Sequence, residues 1–318
     1  MPTNMIVSTL YTNCKFRIPE MKSLHEIIYY DRYTRNICEE IVHADRFLNF
    51  FYNTNAGLII TELILKHKFI SQIYGLYKRS ILSKSSIRKF VSNMRVSEES
   101  IDYSSFKNFN DFFIRKPDLS KRPIVADSSA CIAPVDGKVI AISKLEDSLS
   151  FVIKKHTFNL ETFLNDKALS KEFHSGSMLI CRLCMADNHH FFYPDSGVHQ
   201  STSTTPGYYY AGGPYSNKKR IPFYSSNYRM MTRFSSDHFG DMLIFEIGAF
   251  TVGSIRQDNL INERVSKGSH KGWFELGGST VVLLFLEGRI KFDDDIMNNS
   301  GSGIETYVRM GDSVGRAT

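Results

Sequence analysis

The sequence predicts an α+β protein: an N-terminal amphipathic helical layer packed on a mostly antiparallel, barrel-like β body. Three observations lead there. Up to about residue 115, apolar residues recur near every 3.6 positions, as one face of a helix requires. Beyond Arg115, short runs of Val, Ile, Phe and Tyr alternate with Gly, Pro, Asp and Asn, the pattern of strands and turns. The chain has 318 residues, 42% hydrophobic and 23% charged, enough to bury a sizeable core in one large or two ordinary domains. The expected division is a helical region over 1–115 and a β-rich body over 116–318.

The elements follow in order. The first twenty or so residues carry no clear pattern. Ile41, Val42, Phe47, Leu48 and Phe51 form one helical stripe, and Leu58, Ile59, Leu63 and Leu65 form a second. Ser85 or Ser86 is placed to cap a helix through Ile87, Phe90 and Val91. Phe106 to Phe113 suits one more short helix. Strands are expected at Lys138–Ile142, Met178–Met185, Met242–Phe250 and Thr280–Leu286. Tyr208–Asn217 and Asp293–Gly303, rich in Gly, Asn and Ser, read as loops. There is no internal repeat.

Charge and cysteine content narrow the class. The formal net charge is +6, and it is unevenly spread. Between Leu63 and Val96 stand Lys66, Lys68, Lys78, Arg79, Lys84, Arg88, Lys89 and Arg95, with no Asp or Glu. Such a window favours an anionic partner, phospholipid headgroups or nucleic acid, or else is a solvated helix face. No nucleic-acid motif accompanies it, so no nucleic-acid partner is expected. Five cysteines at irregular spacing argue against a disulfide framework and for a reducing compartment. Cys181 and Cys184 lie in an apolar run with no second pair to follow, so they read as core residues and no metal site is expected. No segment approaches the roughly 18–20 apolar residues that span a bilayer, and the start of the chain lacks the basic residues of a secretory signal. A membrane role would be peripheral.

Three segments carry chemistry: Pro134-Val-Asp-Gly-Lys138, Asp187-Asn-His-His190 and Leu276-Gly-Gly-Ser-Thr280. Singly, each has an ordinary reading as a β-turn, as structural histidines, or as a tight glycine turn. Together they supply a carboxylate, an imidazole and a hydroxyl, the set that activates a serine. Ser279 lacks the Gly-x-Ser-x-Gly elbow of hydrolases. It follows two glycines and precedes Val281-Val-Leu-Leu-Phe285, a run apolar enough to be core.

The segment Lys267-Gly-Ser-His-Lys-Gly-Trp-Phe-Glu-Leu-Gly-Gly-Ser-Thr280 resembles the self-processing segment of the phosphatidylserine decarboxylases. Further pieces match in the same order: Phe109-Asn-Asp-Phe-Phe-Ile-Arg115 followed by Arg122-Pro123, then Ala133-Pro-Val-Asp-Gly137, and Gly176-Ser177 to Cys181-Arg-Leu183. Gly248-Ala-Phe-Thr-Val-Gly-Ser-Ile255 and Arg309-Met-Gly311 complete the series. The resemblance runs from about Tyr29 to the C-terminus.

It implies that Asp136 and His189 activate Ser279 to attack the carbonyl of Gly278. Cleavage between Gly278 and Ser279 would leave residues 1–278 and 279–318 as the two chains of a heterodimer, alone or in a higher oligomer. Ser279 would become a covalent pyruvoyl group, the cofactor that forms a Schiff base with phosphatidylserine, releases CO2 and yields phosphatidylethanolamine. The resemblance also implies a peripheral enzyme of the cell membrane, whose helical region docks on an anionic lipid surface. Many relatives carry Asp-Tyr-His-Arg-x-His at the His segment. Here Asn188 replaces Tyr and Phe192 stands where a second His often sits, which leaves the division of roles between His189 and His190 open. A conventional serine hydrolase using Asp136, His189 and Ser279 is the nearest rival. A carrier domain modified on Lys138 is a more distant one, disfavoured because Lys138 opens an apolar strand.

Overall fold

The run Val281–Phe285 cannot be left in water, and the chain answers by building its largest sheet around it. The computed structural model describes residues 27–96, 101–145, 149–151, 156–158, 160–212, 223–250, 254–258, 260–276 and 279–318. In the first half of the chain the strands are β1 (Ile28–Asp31), β2 (Asn36–Glu39), β3 (Ala130–Ile132), β4 (Gly137–Ile142), β5 (Leu149–Phe151) and β6 (His156–Phe158). There follow β7 (Ser177–Leu183), β8 (His190–Phe192), β9 (Gly197–Thr205), β10 (Arg229–Ser236), β11 (Gly240–Gly248) and β12 (Ile255–Gln257). The last are β13 (Glu263–Val265), β14 (His270–Phe274), β15 (Ser279–Phe285), β16 (Ile290–Phe292), β17 (Glu305–Val308) and β18 (Ser313–Ala317).

Ten strands form one sheet in the order β13-β9-β10-β11-β15-β7-β4-β17-β1-β2. Only β1 and β17 run parallel; every other neighbouring pair is antiparallel. The α+β expectation with a mostly antiparallel sheet therefore holds, but the barrel-like shape does not. Among the described residues the sheet is open, with β13 and β2 as its edges. One edge lies in the N-terminal part of the chain, which was expected to be helical. β1 and β2 form there and extend that edge of the sheet beyond β17. Smaller sheets β12-β14-β8 and β16-β18-β3 lie beside it, and β5 pairs with β6.

Central β15 is buried along its whole length, so both of its faces are covered and its sequence is continuous rather than alternating. Outlying β9 shows the opposite: from Gln200 to Thr205 every residue is polar and none is buried. The expected strands at 138–142, 178–185, 242–250 and 280–286 all form, within a residue or two.

Helices form near each expected stripe, α1 (Asp45–Asn53), α2 (Asn55–Ile60, running on into a π-helical turn at Thr61–Leu65), α4 (Ser86–Met94) and α5 (Phe109–Phe113), and one more, α3 (Lys68–Arg79), stands between them. Thr54 caps α2 by accepting from the Gly57 amide at 3.0 Å. A Cβ at Gly57 would lie 2.1 Å from the Phe50 carbonyl oxygen, so only glycine lets α1 and α2 meet this closely. Asn108 caps α5 by accepting from the Asp111 amide at 2.9 Å. Ile87, Phe90 and Met94 of α4 pack on Phe109, Phe112 and Phe113 of α5 and on Leu276, three residues before Ser279. Asp293–Gly303 differs from its expected loop: Asp294–Gly301 is helical, with Asp294 and Asp295 in its first turn, where the helix dipole favours them, and Ile296 buried.

The basic window is less uniform than its sequence suggests. Lys78 is buried, with its ammonium 4.0 Å from the Phe109 ring centre. Lys66 pairs with Glu62, and Arg79 pairs with Glu275. Lys68, Lys84, Arg88, Lys89 and Arg95 are exposed. So are the apolar side chains of Leu63, Phe69, Leu76, Ile81 and Leu82, each more than 60% accessible. No helix among the described residues is long and apolar enough to cross a membrane.

Candidate active site

Ser279 opens β15 between two partners: it stands opposite Leu183 of β7 on one side and Gly248 of β11 on the other. Its residue is 2% exposed, and its Oγ makes no hydrogen bond among the described residues. A buried hydroxyl without a partner carries an unfavourable desolvation cost, so one at the head of a core strand calls for a functional account. Gly278, expected on the other side of the scissile bond, lies outside the described residues.

Asp136 sits in the turn between β3 and β4. Lys138 stands opposite Arg182 of β7, which in turn stands opposite Thr280 of β15. That register brings Asp136 and Ser279 to the same end of the sheet, with β7 between their strands, about 10 Å across. The Asp136 carboxylate is enclosed and doubly held. Arg122 donates to it from Nε at 3.0 and 2.9 Å and from Nη2 at 2.5 Å, and the Met310 amide donates at 2.9 Å.

His189 is fully buried. Its Nδ1 lies 2.9 Å from the Asp187 carbonyl oxygen, which can only accept, so Nδ1 carries the proton and Nε2 of the neutral ring keeps its lone pair. That backbone carbonyl fixes the tautomer that a general base needs. The ring is pressed on Phe113 of α5, with centroids 4.0 Å apart. Its carbonyl accepts from the Phe274 amide at 2.9 Å, which ties it to the segment that leads into Ser279. The small sheet also closes on the turn bearing Asp136, since the Phe192 amide donates to the Pro134 carbonyl at 2.9 Å.

His190 points elsewhere. Its Nδ1 is 2.8 Å from His270 Nε2, and its Nε2 is 2.9 Å from the Ile114 carbonyl. Burial pushes its pKa down to about 4, with His270 adding to the effect. A ring so engaged and so reluctant to take a proton is a poor substitute for His189.

Several supporting residues were given no role by motif reading. Asp187 accepts from the Cys184 amide at 2.7 Å and pairs with Lys138 at 3.6 Å, which fixes the turn before His189. Burial raises the Asp187 pKa. Burial also opposes the charge on Lys138, but Asp187 and Glu40 outweigh it and hold the ammonium protonated. Arg182 joins the group by pairing with both Glu40 and Glu305. Cys184 receives a hydrogen bond from Lys138 at 2.9 Å, and burial pushes its thiol up, the behaviour of a core cysteine. A second buried pair joins Lys271 of β14 to Glu246 of β11 at 2.8 Å. The signal that would have found it is a lone acidic residue inside the apolar run Met242-Leu-Ile-Phe-Glu-Ile247.

The family model described as phosphatidylserine decarboxylase matches residues 109–316. A phosphatidylserine decarboxylase proenzyme of Clostridium botulinum (strain Hall) is 38% identical over 291 residues, which cover 91% of this chain and 99% of the relative. The proenzyme of the same name from Clostridium tetani is 36% identical over 292 residues, 91% of this chain and 98% of the relative. That of Chlamydia muridarum is 36% identical over 293 residues, 92% and 97%.

Proposed function

Because this chain belongs to the phosphatidylserine decarboxylase family, we propose that it cuts itself between Gly278 and Ser279 and works through the group left at residue 279. It is a carboxy-lyase that removes CO2 from phosphatidylserine to give phosphatidylethanolamine. The observation that carries the site assignment is the Ser279 hydroxyl: buried, unbonded among the described residues, and placed at the head of a fully enclosed strand directly after two glycines. A hydroxyl kept out of water is free to turn on its own peptide bond.

His189 is the base in this reading. Its Nε2 keeps a lone pair because Nδ1 donates to Asp187, and it accepts the Ser279 Oγ proton as Oγ attacks the Gly278 carbonyl. Asp136, held by Arg122, is placed to steady the imidazolium once it forms. Glycine at 278 presents no side chain to the attack and tolerates the bent backbone of an acyl shift. The acyl shift makes an ester on Ser279, and its elimination divides the chain. The two pieces, 1–278 and 279–318, stay joined, because β15 lies between β7 and β11 of the larger piece.

A pyruvoyl group suits this position, since it is made from Ser279 itself and the orphaned Oγ is the atom its formation removes. Such a group supplies an electron-poor carbonyl that captures the substrate amine and takes up the electron pair left by CO2. The chain's own part is to exclude water with Leu276, Phe112 and Phe113 and to return a proton from His189.

The division into a helical region, 1–115, and a catalytic body, 116–318, belongs to the same reading. The exposed Leu76, Ile81 and Leu82, flanked by Lys84, Arg88 and Lys89, are the docking face toward anionic lipid. Intact mass spectrometry of purified protein tests the central claim. Two species splitting at 278/279 are expected, the smaller with a pyruvoyl-blocked N-terminus, while Ser279→Ala stays whole. An active preparation of full mass with unmodified Ser279 would overturn it.

A further inference from the structure

Glu246 and Lys271 are both completely buried and pair at 2.8 Å. Lys271 also donates to Gln257 Oε1 at 2.5 Å. These contacts engage only one Glu246 oxygen. Oε2 is enclosed and accepts no hydrogen bond among the described residues. Removing two ions from water costs several kcal/mol each, and an apolar pair of the same volume would stabilise the fold as well or better, so stability does not explain this one.

Position does. Strands β11 and β15 pair with Gly248 opposite Ser279 and Glu246 opposite Val281. Side chains alternate along a strand, so Ser279, Val281 and Glu246 share one face. Gly248 has no side chain there, and Glu246 is its next neighbour on that face. Diagonal neighbours of this kind lie about 7–8 Å apart between backbones, within reach of a long side chain. Two orphaned polar atoms, Ser279 Oγ and Glu246 Oε2, therefore lie on one face of adjacent strands, near each other but not hydrogen-bonded.

Maturation contains a step for which no base has yet been named. Resting on the proposed cleavage at Ser279, we propose that Glu246 is the base of the elimination step, with Lys271 and Gln257 as its positioning residues. Once the Gly278 acyl group sits on Oγ, Oε2 takes the proton from the Ser279 Cα. The electron pair of that C–H bond forms the Cα–Cβ double bond. The Cβ–Oγ bond breaks, and Gly278 departs as a carboxylate holding Oγ. The resulting enamine takes a proton at Cβ, and water converts its imine form to the ketone with release of ammonia, so no oxidant or reductant is required. Burial raises the proton affinity of Glu246, opposed by Lys271, which suits a carboxylate to this task. Asp136 is committed to Arg122 and Met310, and His189 serves Oγ.

The test is intact mass before and after hydroxylamine, which cuts esters but not peptide bonds under mild conditions. Glu246→Gln keeps the shape and removes the basicity. It is expected to keep the full 36.4 kDa mass and yet to split at 278/279 with hydroxylamine, releasing a fragment that begins with unmodified Ser279. Formation of the blocked fragment should slow by about 10²–10⁴-fold, the usual worth of a positioned base. The double variant E246L/K271M removes the pair without stranding a charge and should trap the same ester; it serves if Glu246→Gln does not fold. A blocked fragment formed at the wild-type rate in either variant overturns the inference and leaves the cleavage reading intact. A folded variant that neither matures nor yields to hydroxylamine also overturns it, because Glu246 would then act before the ester. A wild-type chain that never splits would instead sink the reading beneath.

Discussion

Arg122 grips the Asp136 carboxylate with two of its nitrogens, at 2.5–3.0 Å, in a place where both side chains are nearly closed off from water. The contact ties the segment before β3 to the turn that opens β4. Removing one partner leaves a charge buried without compensation, at about 3–5 kcal/mol. Arg122→Met is therefore expected to lose about that much, and Arg122→Lys less, since a single ammonium cannot reproduce the planar fork. Urea unfolding in the Ser279→Ala background, where every molecule is uncut, makes the comparison clean. A loss below about 1 kcal/mol for Arg122→Met would show that Asp136 does not depend on this partner.

The buried group around Arg182 yields a second prediction. Arg182 bridges Glu40, just past β2, and Glu305 of β17. Glu40 is held well below the usual carboxylate range: burial alone would raise it, but Arg182 and Lys138 prevail. Its folded pKa is depressed, so its contribution is present above the ordinary carboxylate range and fades as acid protonates it. Glu40→Gln should weaken the fold at neutral pH and flatten the acid limb of stability. Thermal unfolding from pH 3 to 7 is the check, and parallel curves for the two proteins would refute the assignment.

The histidines act over a different range. His190 and His199 both have pKa values lowered to about 4 by burial, against an ordinary 6.5. The fold favours their neutral rings, so between pH 6.5 and 4 the unfolded chain binds more protons and stability falls with acidification. Below pH 4 these two residues add no further loss. His190→Asn should reduce the slope of unfolding free energy against pH in that window without moving the slope above pH 7. An unchanged slope would mean that His190 titrates normally in the folded protein.

Much of this arrangement was legible in the sequence, and the failures have identifiable causes. Central strands such as Ser279–Phe285 and Ser177–Leu183 were readable because both faces are buried and the apolar run is continuous. The short strands Ile28–Asp31 and Asn36–Glu39 were missed because four partly exposed residues each leave little periodicity, and the pairing of Ile28–Asp31 with Glu305–Val308 is set by contacts across most of the chain. Asp294–Gly301 was mistaken for a loop because its Asn and Ser content outweighed its acidic start. At the site, Asp136, His189 and Ser279 stood out by motif. Arg122, Asp187 and Lys271 lay inside the quoted segments and Glu246 inside an expected strand, but none had a role assigned, because a buried charge is recognised by its partner, and partners far apart in sequence cannot be matched from composition.

The outer face of the helices gives the last prediction. Leu76, Ile81 and Leu82 are 66%, 76% and 74% accessible, a poor use of large apolar side chains unless something covers them. Lys84, Arg88 and Lys89 are exposed close by in the chain. Moving one such apolar side chain from water into lipid is worth about 1.5–3 kcal/mol, and each basic residue near an anionic surface about 1 kcal/mol. Ile81→Ser with Leu82→Ser should therefore weaken partitioning onto vesicles containing phosphatidylserine by at least about tenfold per side chain. Exposed positions contribute little to folding, so stability should stay within about 0.5 kcal/mol of the parent. Arg88→Glu with Lys89→Glu should weaken binding chiefly at low salt, where screening is least. Vesicle sedimentation at two ionic strengths separates the two contributions. Equal binding by parent and Ile81/Leu82 variants would show that lipid approaches a different face.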